Sequence, residues 1–200
     1  SVARLVRPAP CEPTVDPHAP LKLDPEASYL VSGGVGALGL LVAQYLSTCG
    51  ATHLVLTGRS GVSTDDQRTA LHALEEAGVK VDVVAADIGN ADDVARVLSL
   101  TPRLRGIVHA AGVLDDGMLM QQTAQRFAKV AAPKVDGAWH LHTQTSTHSL
   151  DFFVLFSSVA SIMGSPGQSN YASANAFMDG LAHLRRKQGL AATAINWGPW

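Results

Sequence analysis

The sequence predicts an α/β domain built as a doubly wound parallel sheet with helices on both faces. Three observations predict it. From Ser28 onward, short continuous apolar runs alternate with segments of helical period. The runs lack the polar alternation of a half-exposed strand, so both faces of the sheet are expected to be covered. A glycine-rich turn from Gly33 to Gly39 joins the first run to the first helical pattern, where a crossover that binds a nucleotide would need it.

The expected strands are Tyr29–Ser32, His53–Thr57, Val79–Ala85, Gly106–His109, Phe152–Phe156 and Ala192–Asn196. A helical pattern follows Gly39 and runs through Leu46. Thr64 to Ala77 reads as a helix because Thr64 and Gln67 fit a capping box and Gly78 a stop signal. Asn90 is placed to cap a helix through Leu100, with Asp92 and Asp93 in the first turn, where negative charge suits the helix dipole. Two separate helical segments are expected at 121–130 and 133–145, with Pro133 at the first position of the second. A long helix spans about 169–187. A seventh strand would belong beyond Trp200, so the C-terminal end reads as truncated. Residues 1–27, with Pro8, Pro10, Pro13, Pro17, Pro20 and Pro25, read as a linker or extended arm in which Val2, Leu5 and Val6 could form a short strand. The folded domain is expected over 28–200.

With 200 residues, 46% of them hydrophobic and 16% charged, the chain can form one domain with a full core. A net charge of −2 with no run of like charges argues against nucleic acid or an anionic membrane as partner. Cys11 and Cys49 form no redox or metal motif and read as reduced thiols. His140 and His142 are two apart, have no ligand-spaced partner, and no metal site is expected. No signal peptide or spanning segment is evident, and a cytoplasmic location is the default expectation.

Gly33, Gly34, Gly36 and Gly39 allow a tight turn and a close backbone approach to a pyrophosphate at the following helix N-terminus. Binders of NAD place a carboxylate at the end of the second strand, about 20 residues on. Here that stretch reads Thr57-Gly58-Arg59-Ser60. Arg59 offers an always-charged fork and Ser60 a hydroxyl, which points to NADPH through its 2′-phosphate. Asp87, after the third strand, could accept from the adenine amino group or cap its own loop.

A serine pair, Ser157 and Ser158, follows the fifth apolar run, and Tyr171 stands four residues before Asn175 on one helix face. Reduction of a ketone needs a proton donor for the developing alkoxide. Tyrosine serves if a cation lowers its pKa, and a serine hydroxyl can hold the carbonyl oxygen. A lysine is needed near the tyrosine, yet asparagine stands at position 175.

Together with Gly33–Gly39, the segments Leu56–Ser60, His109–Asp116, Lys134–Trp139, Phe156–Ser158, Gln168–Phe177 and Asn196–Trp200 make the chain resemble the catalytic part of a ketoreductase domain of a modular type I polyketide synthase. These domains belong to the short-chain dehydrogenase/reductase superfamily, with its Rossmann-like fold. The resemblance accounts for Asn175. In polyketide ketoreductases asparagine follows the tyrosine and the lysine comes from the preceding helix, here Lys134. It implies Tyr171 as proton donor, Ser158 (thirteen residues earlier) as hydrogen-bond donor to the carbonyl, Lys134 as the cation acting on Tyr171, and Asn175 in a water-linked proton relay. Ala110 and Gly112 are implied at the cofactor, and Leu114, Asp115, Asp116 and Gln168 in orienting the substrate.

Leu114-Asp115-Asp116 is similar to the loop motif of B-type ketoreductases, which form the (3R) alcohol. Met163 stands where the opposite type has tryptophan, and Ser173 where epimerising members have proline, a B1-like pattern. The implied reaction is NADPH-dependent reduction of a β-ketoacyl thioester on an acyl carrier protein, alongside other domains of the same synthase. The alternatives are a redox-inactive structural domain, disfavoured by the intact glycine turn and tyrosine, and a type I fatty acid synthase reductase, which shares the exchanged pair.

Overall fold

The computed structural model describes residues 21–198. The short strand expected at Val2, Leu5 and Val6, and Cys11, lie outside the described residues. The strands are β1 (Ser28–Ser32), β2 (His53–Gly58), β3 (Lys80–Ala85), β4 (Leu104–His109), β5 (Phe152–Ser158) and β6 (Thr193–Trp197). They pair in parallel in the order β3-β2-β1-β4-β5-β6, which is the doubly wound arrangement. The helices are α1 (Ala37–Thr48), α2 (Asp65–Glu76), α3 (Ala91–Ser99), α4 (Ala124–Ala131), α5 (Gly137–Gln144), α6 (Ala160–Met163) and α7 (Ser169–Lys187).

Alternation along β1 divides the core. Tyr29 and Val31 pack on one face with Leu40 and Leu46 of α1 and Leu71 and Leu74 of α2. Leu30 faces the other way, into a cluster with Val94 and Val97 of α3, Leu141 of α5 and Met178 and Leu181 of α7. A strand whose successive side chains enter two different cores must be apolar throughout, and β1 is buried along its whole length. The chain leaves β1 toward one face and β4 toward the other. A crevice therefore opens at their carboxyl ends, the usual ligand position in open α/β sheets.

Local chemistry sets the entrances to this crevice. Thr64 and Gln67 close the expected capping box on α2, and the Gln67 amide also donates to the Val35 carbonyl at 2.8 Å. One side chain thus ties the start of α2 to the glycine turn. Asn90 caps α3 through the amides of Asp92 and Asp93.

One expected feature is corrected. The two helical segments expected at 121–130 and 133–145 are α4 and α5, but no break separates them and the second does not start at Pro133. The helical run extends from Ala124 to Gln144, and its middle, Ala132–Asp136, is a π turn. Pro133 is the second residue of that turn rather than the start of a helix. It brings no N–H to the ladder, and the wider turn absorbs the defect: the Gly137 amide reaches back five residues to the Ala132 carbonyl. The 3-10 turn Leu119–Gln121 and the short α6 were not expected; each is too brief to carry a periodic signal.

Gln67→Ala is expected to lower the unfolding free energy by about 1–2 kcal/mol, since it removes half of the capping box and the link to Val35. Thermal or urea unfolding of the variant against the parent measures this.

Candidate active site

The crevice holds two adjoining cavities. The first, about 420 Å³, runs from the glycine turn past the ends of β2 and β3 and is bounded by Gly33, Gly36, Arg59, Ser60, Asp87 and Gly112, among others. Gly39 and Ala110 also reach it. Gly33 has φ +72°, and a Cβ there would lie 2.8 Å from the Ala111 backbone nitrogen, so only glycine fits. Gly36 differs: it is exposed, caps α1 without a side-chain bond, and leaves the helix N-terminus open to the cavity. An uncovered helix N-terminus flanked by glycine suits a pyrophosphate. Gly34 lies outside this cavity. It is buried, and a Cβ on it would meet the Val31 carbonyl at 2.6 Å, so its glycine serves packing. Arg59 is exposed at the mouth and makes no ion pair among the described residues. Asp87 accepts from the Gly89 amide at 2.9 Å, so it caps its own loop as well as lining the cavity.

The second cavity, about 610 Å³, brings together Lys134, Ser158, Gln168, Tyr171 and Leu114, with Ala110 and Gly112 shared from the first. Ser158 is the last residue of β5. Its Oγ accepts from the Ala160 amide at 3.2 Å, which leaves its O–H free to donate into the cavity. Tyr171 is the third residue of α7.

Lys134 is 5% exposed. Its Nζ donates to the Phe156 carbonyl and to Asn175 Oδ1, both at 3.0 Å, and stands 5.1 Å from the centroid of the Tyr171 ring. Burial lowers its pKa from 10.5 to about 8, partly offset by Asp179, so the ammonium form still prevails at neutral pH. Asn175 is fully buried behind the cavity and donates through Nδ2 to the Tyr171 carbonyl at 2.8 Å. Lys134, within the π turn, thus stands against the Tyr171 ring, and Asn175 links its Nζ to the Tyr171 backbone carbonyl.

Gly112 is more than a lining residue. A Cβ there would lie 2.9 Å from Lys134 Cε, so this glycine makes room for the buried lysine stem. His109, three residues before it, is completely buried, with Nδ1 2.6 Å from Ser32 Oγ. Burial, aided by the Lys134 charge, presses its pKa down to about 3, so it adds no competing cation. The Pro133 and Lys134 backbone lies near enough to oppose that shift, but Nε2 makes no well-formed hydrogen bond.

Sequence reading missed a polar network behind Ser158. Asn196 Nδ2 lies 3.2 Å from Ser157 Oγ, 3.2 Å from the Ser158 carbonyl, 2.9 Å from Ser161 Oγ and 3.0 Å from Asp179 Oδ2. Ser161 also donates to Asp179 at 2.5 Å. The available signal was periodicity: Asp179 continues the Tyr171–Asn175 stripe by one more turn. Asp115 and Asp116, expected to orient substrate, do not line the cavity; they hold the wall formed by Leu114 and Val113. At the opposite end of the sheet, Ser28, His53 and Asp82 form a hydrogen-bonded chain. It is no hydrolytic triad, because Ser28 is only 2% exposed.

Two outcomes are expected from this geometry. Gly112→Ala should lower the melting temperature, because the atom that must move belongs to a buried lysine held by Phe156 and Asn175. It should cut turnover on the order of 10²-fold by displacing Lys134, which steady-state kinetics checks. His109 gives a pH effect. Its folded pKa lies below its unfolded value of 6.5, so the unfolded chain takes up the proton first. Its stabilising contribution is intact above pH 6.5 and is lost as pH falls toward 3. Between pH 7.5 and 5 the parent should lose about 2 kcal/mol more stability than His109→Asn, measurable by urea unfolding at both pH values.

The chain matches the KR domain family over residues 27–200. It is 47% identical to polyketide synthase GfsA of Streptomyces halstedii over 181 residues, which is 88% of this chain and 2% of that protein. It is also 47% identical to the spectinabilin polyketide synthase system protein NorB of Streptomyces orinoci, over 88% of this chain and 8% of that protein. Among solved structures, an A1-type ketoreductase superposes with a TM-score of 0.87 at 38% identity, covering 96% of this chain and 40% of that one. The first ketoreductase of the tylosin polyketide synthase superposes with a TM-score of 0.81 at 38% identity, covering 87% of this chain and 38% of that one. The chain thus spans a small part of the curated relatives and under half of the solved domains, and over that part it belongs to the KR domain family, the ketoreductase domains of polyketide synthases, on the Rossmann-like fold of the short-chain dehydrogenases/reductases.

Proposed function

We propose that this domain uses NADPH to reduce a β-ketoacyl thioester, carried on an acyl carrier protein, to the (3R)-β-hydroxyacyl thioester during polyketide chain extension. The observation that carries this reading is the buried Lys134 ammonium, joined to Asn175 and set against the Tyr171 ring at the edge of a cavity shared with Ser158. Such a constellation suits proton delivery to a carbonyl oxygen. The intact set also speaks against a redox-inactive domain.

The residues divide the work as follows. Gly36 and the open N-terminus of α1 receive the pyrophosphate. Arg59, with no carboxylate beside it at the end of β2, receives the 2′-phosphate beside Ser60. When bound, NADPH supplies the hydride to the ketone carbon. The Ser158 hydroxyl donates to the ketone oxygen and holds it. Tyr171 gives its phenolic proton to that oxygen as negative charge develops there. The Lys134 charge stabilises the phenolate left behind. Asn175 has both ends of its amide engaged, which favours holding Lys134 in register over a relay role. The Leu114-Asp115-Asp116 motif has Leu114 on the cavity wall, and Met163 stands where the opposite stereochemical type carries tryptophan. Both support the B-type, (3R) assignment, and Ser173 supports a product that is not epimerised.

Tyr171→Phe is expected to abolish reduction of a β-keto thioester by the full-length protein while NADPH still quenches or shifts protein fluorescence as in the parent; retained turnover would overturn the assignment. Arg59→Ala should weaken NADPH about tenfold or more and NADH hardly at all, read from the two dissociation constants. Equal losses would remove the 2′-phosphate role.

A further inference from the structure

The wall of the second cavity is fixed by residues that do not touch it. After β4 the chain passes through Val113 and Leu114, which face the cavity, and then turns away at Asp115. The Asp115 side chain is 15% exposed and is gripped by two cations of α4: Arg126 Nε at 2.7 Å and Lys129 Nζ at 2.9 Å. The two cations are three residues apart, so they share one helix face. Arg126 also donates through Nη2 to the Asp116 carbonyl at 3.0 Å. The fit is close. A Cβ on Gly117 would lie 2.1 Å from Arg126 Nη1, so the guanidinium occupies space that any other residue at 117 would fill.

The same loop is bonded on its other side to the start of α7. Asn170, buried and adjacent to Tyr171, donates to the Asp115 carbonyl at 2.8 Å and accepts from the Tyr171 amide at 2.7 Å. Gln168 donates to Asp116 Oδ2 at 2.9 Å, and the Gly117 amide to the Gly167 carbonyl at 2.8 Å. The wall is thus stitched between α4 and the turn that carries the tyrosine.

We infer that Arg126 and Lys129 are specificity-determining positioning residues: through Asp115 they hold the Leu114 wall at a fixed distance from Tyr171 and so decide which face of the ketone meets the hydride. This rests on the reading of the domain as a ketoreductase. A ketone can lie in the cavity in two orientations that differ by exchange of its two arms. A fixed wall on one side of the tyrosine excludes one of them. A wall that can shift readmits it without any change at Tyr171, Ser158 or the cofactor cavity. The relevant loss is therefore of stereochemical ratio, with kcat and NADPH affinity largely kept.

The test uses the full-length protein with NADPH and the N-acetylcysteamine thioester of a β-keto acid, with chiral analysis of the 3-hydroxy product. The Arg126→Ala/Lys129→Ala double variant is expected to lower the enantiomer ratio about tenfold or more, equivalent to roughly 1.4 kcal/mol of discrimination. The NADPH dissociation constant should stay within about twofold. Gly117→Ala keeps every charge but displaces the guanidinium; it should lower the ratio as well and carries the test if the double variant does not fold. Arg126→Lys should restore most of the selectivity. A ratio unchanged in both the double variant and Gly117→Ala overturns the inference, as does a parent protein that forms both enantiomers equally. A selective parent that forms the (3S) alcohol removes the B-type assignment, while loss of that selectivity in the variants still sustains the clamp. Absence of any reduction by the parent removes the ketoreductase reading and the inference with it.

Discussion

Everything in this site depends on one ammonium group held almost out of water. Burial of a lysine is costly, and the cost shows in its lowered proton affinity. Two acceptors offset it, the Phe156 carbonyl and Asn175 Oδ1. Both belong to the elements that carry Ser158 and Tyr171, since Phe156 lies two residues before Ser158 and Asn175 one turn after Tyr171. The bonds that keep Lys134 charged also fix β5 against α7. Electrostatics and positioning are here one arrangement, and a group that disturbs either disturbs both.

The supports of that ammonium come from the whole carboxyl edge of the sheet. The π turn accommodates Pro133 and presents Lys134 inward. Gly112 leaves room for the lysine stem, and Gly137 packs where a Cβ would lie 2.8 Å from Ile88 and 3.3 Å from His109. His109 stays neutral beside the cation. Asn196, Ser161 and Asp179 brace the serine strand from behind, and the Asp115 ion pairs brace the opposite wall. Polar groups at this depth are tolerable because nearly all are satisfied.

The fold was legible because its signals are local and repeated. Each strand is a continuous apolar run, the caps at Thr64 and Asn90 are side-chain chemistry, and the glycine turn stands where a crossover must begin. Tyr171, the Ser157–Ser158 pair and Asn175 stand out by their spacing; the choice of Ser158, the place of Asn175 and the part of Lys134, forty-one residues before Asn175, come only through resemblance. What stayed hidden depends on long-range contact. A proline inside a helical pattern gives no sign of whether the helix breaks or widens. The roles of Gly34 and Gly112 rest on what a Cβ would strike. The sequence alone does not give the partners of Asp115 and Asp116, which are Arg126, Lys129 and Gln168. Asp179 and Asn196 meet only after β6 has returned beside β5.

The most direct measurement is the turnover of Lys134→Met in the full-length protein, with NADPH affinity determined on the same sample. Methionine keeps the length of the buried stem and removes the charge. If the ammonium is what makes Tyr171 an effective proton donor, reduction of the β-keto thioester should fall on the order of 10²-fold or more, with NADPH still bound. Turnover within a few-fold of the parent, at unchanged NADPH affinity, would contradict the account.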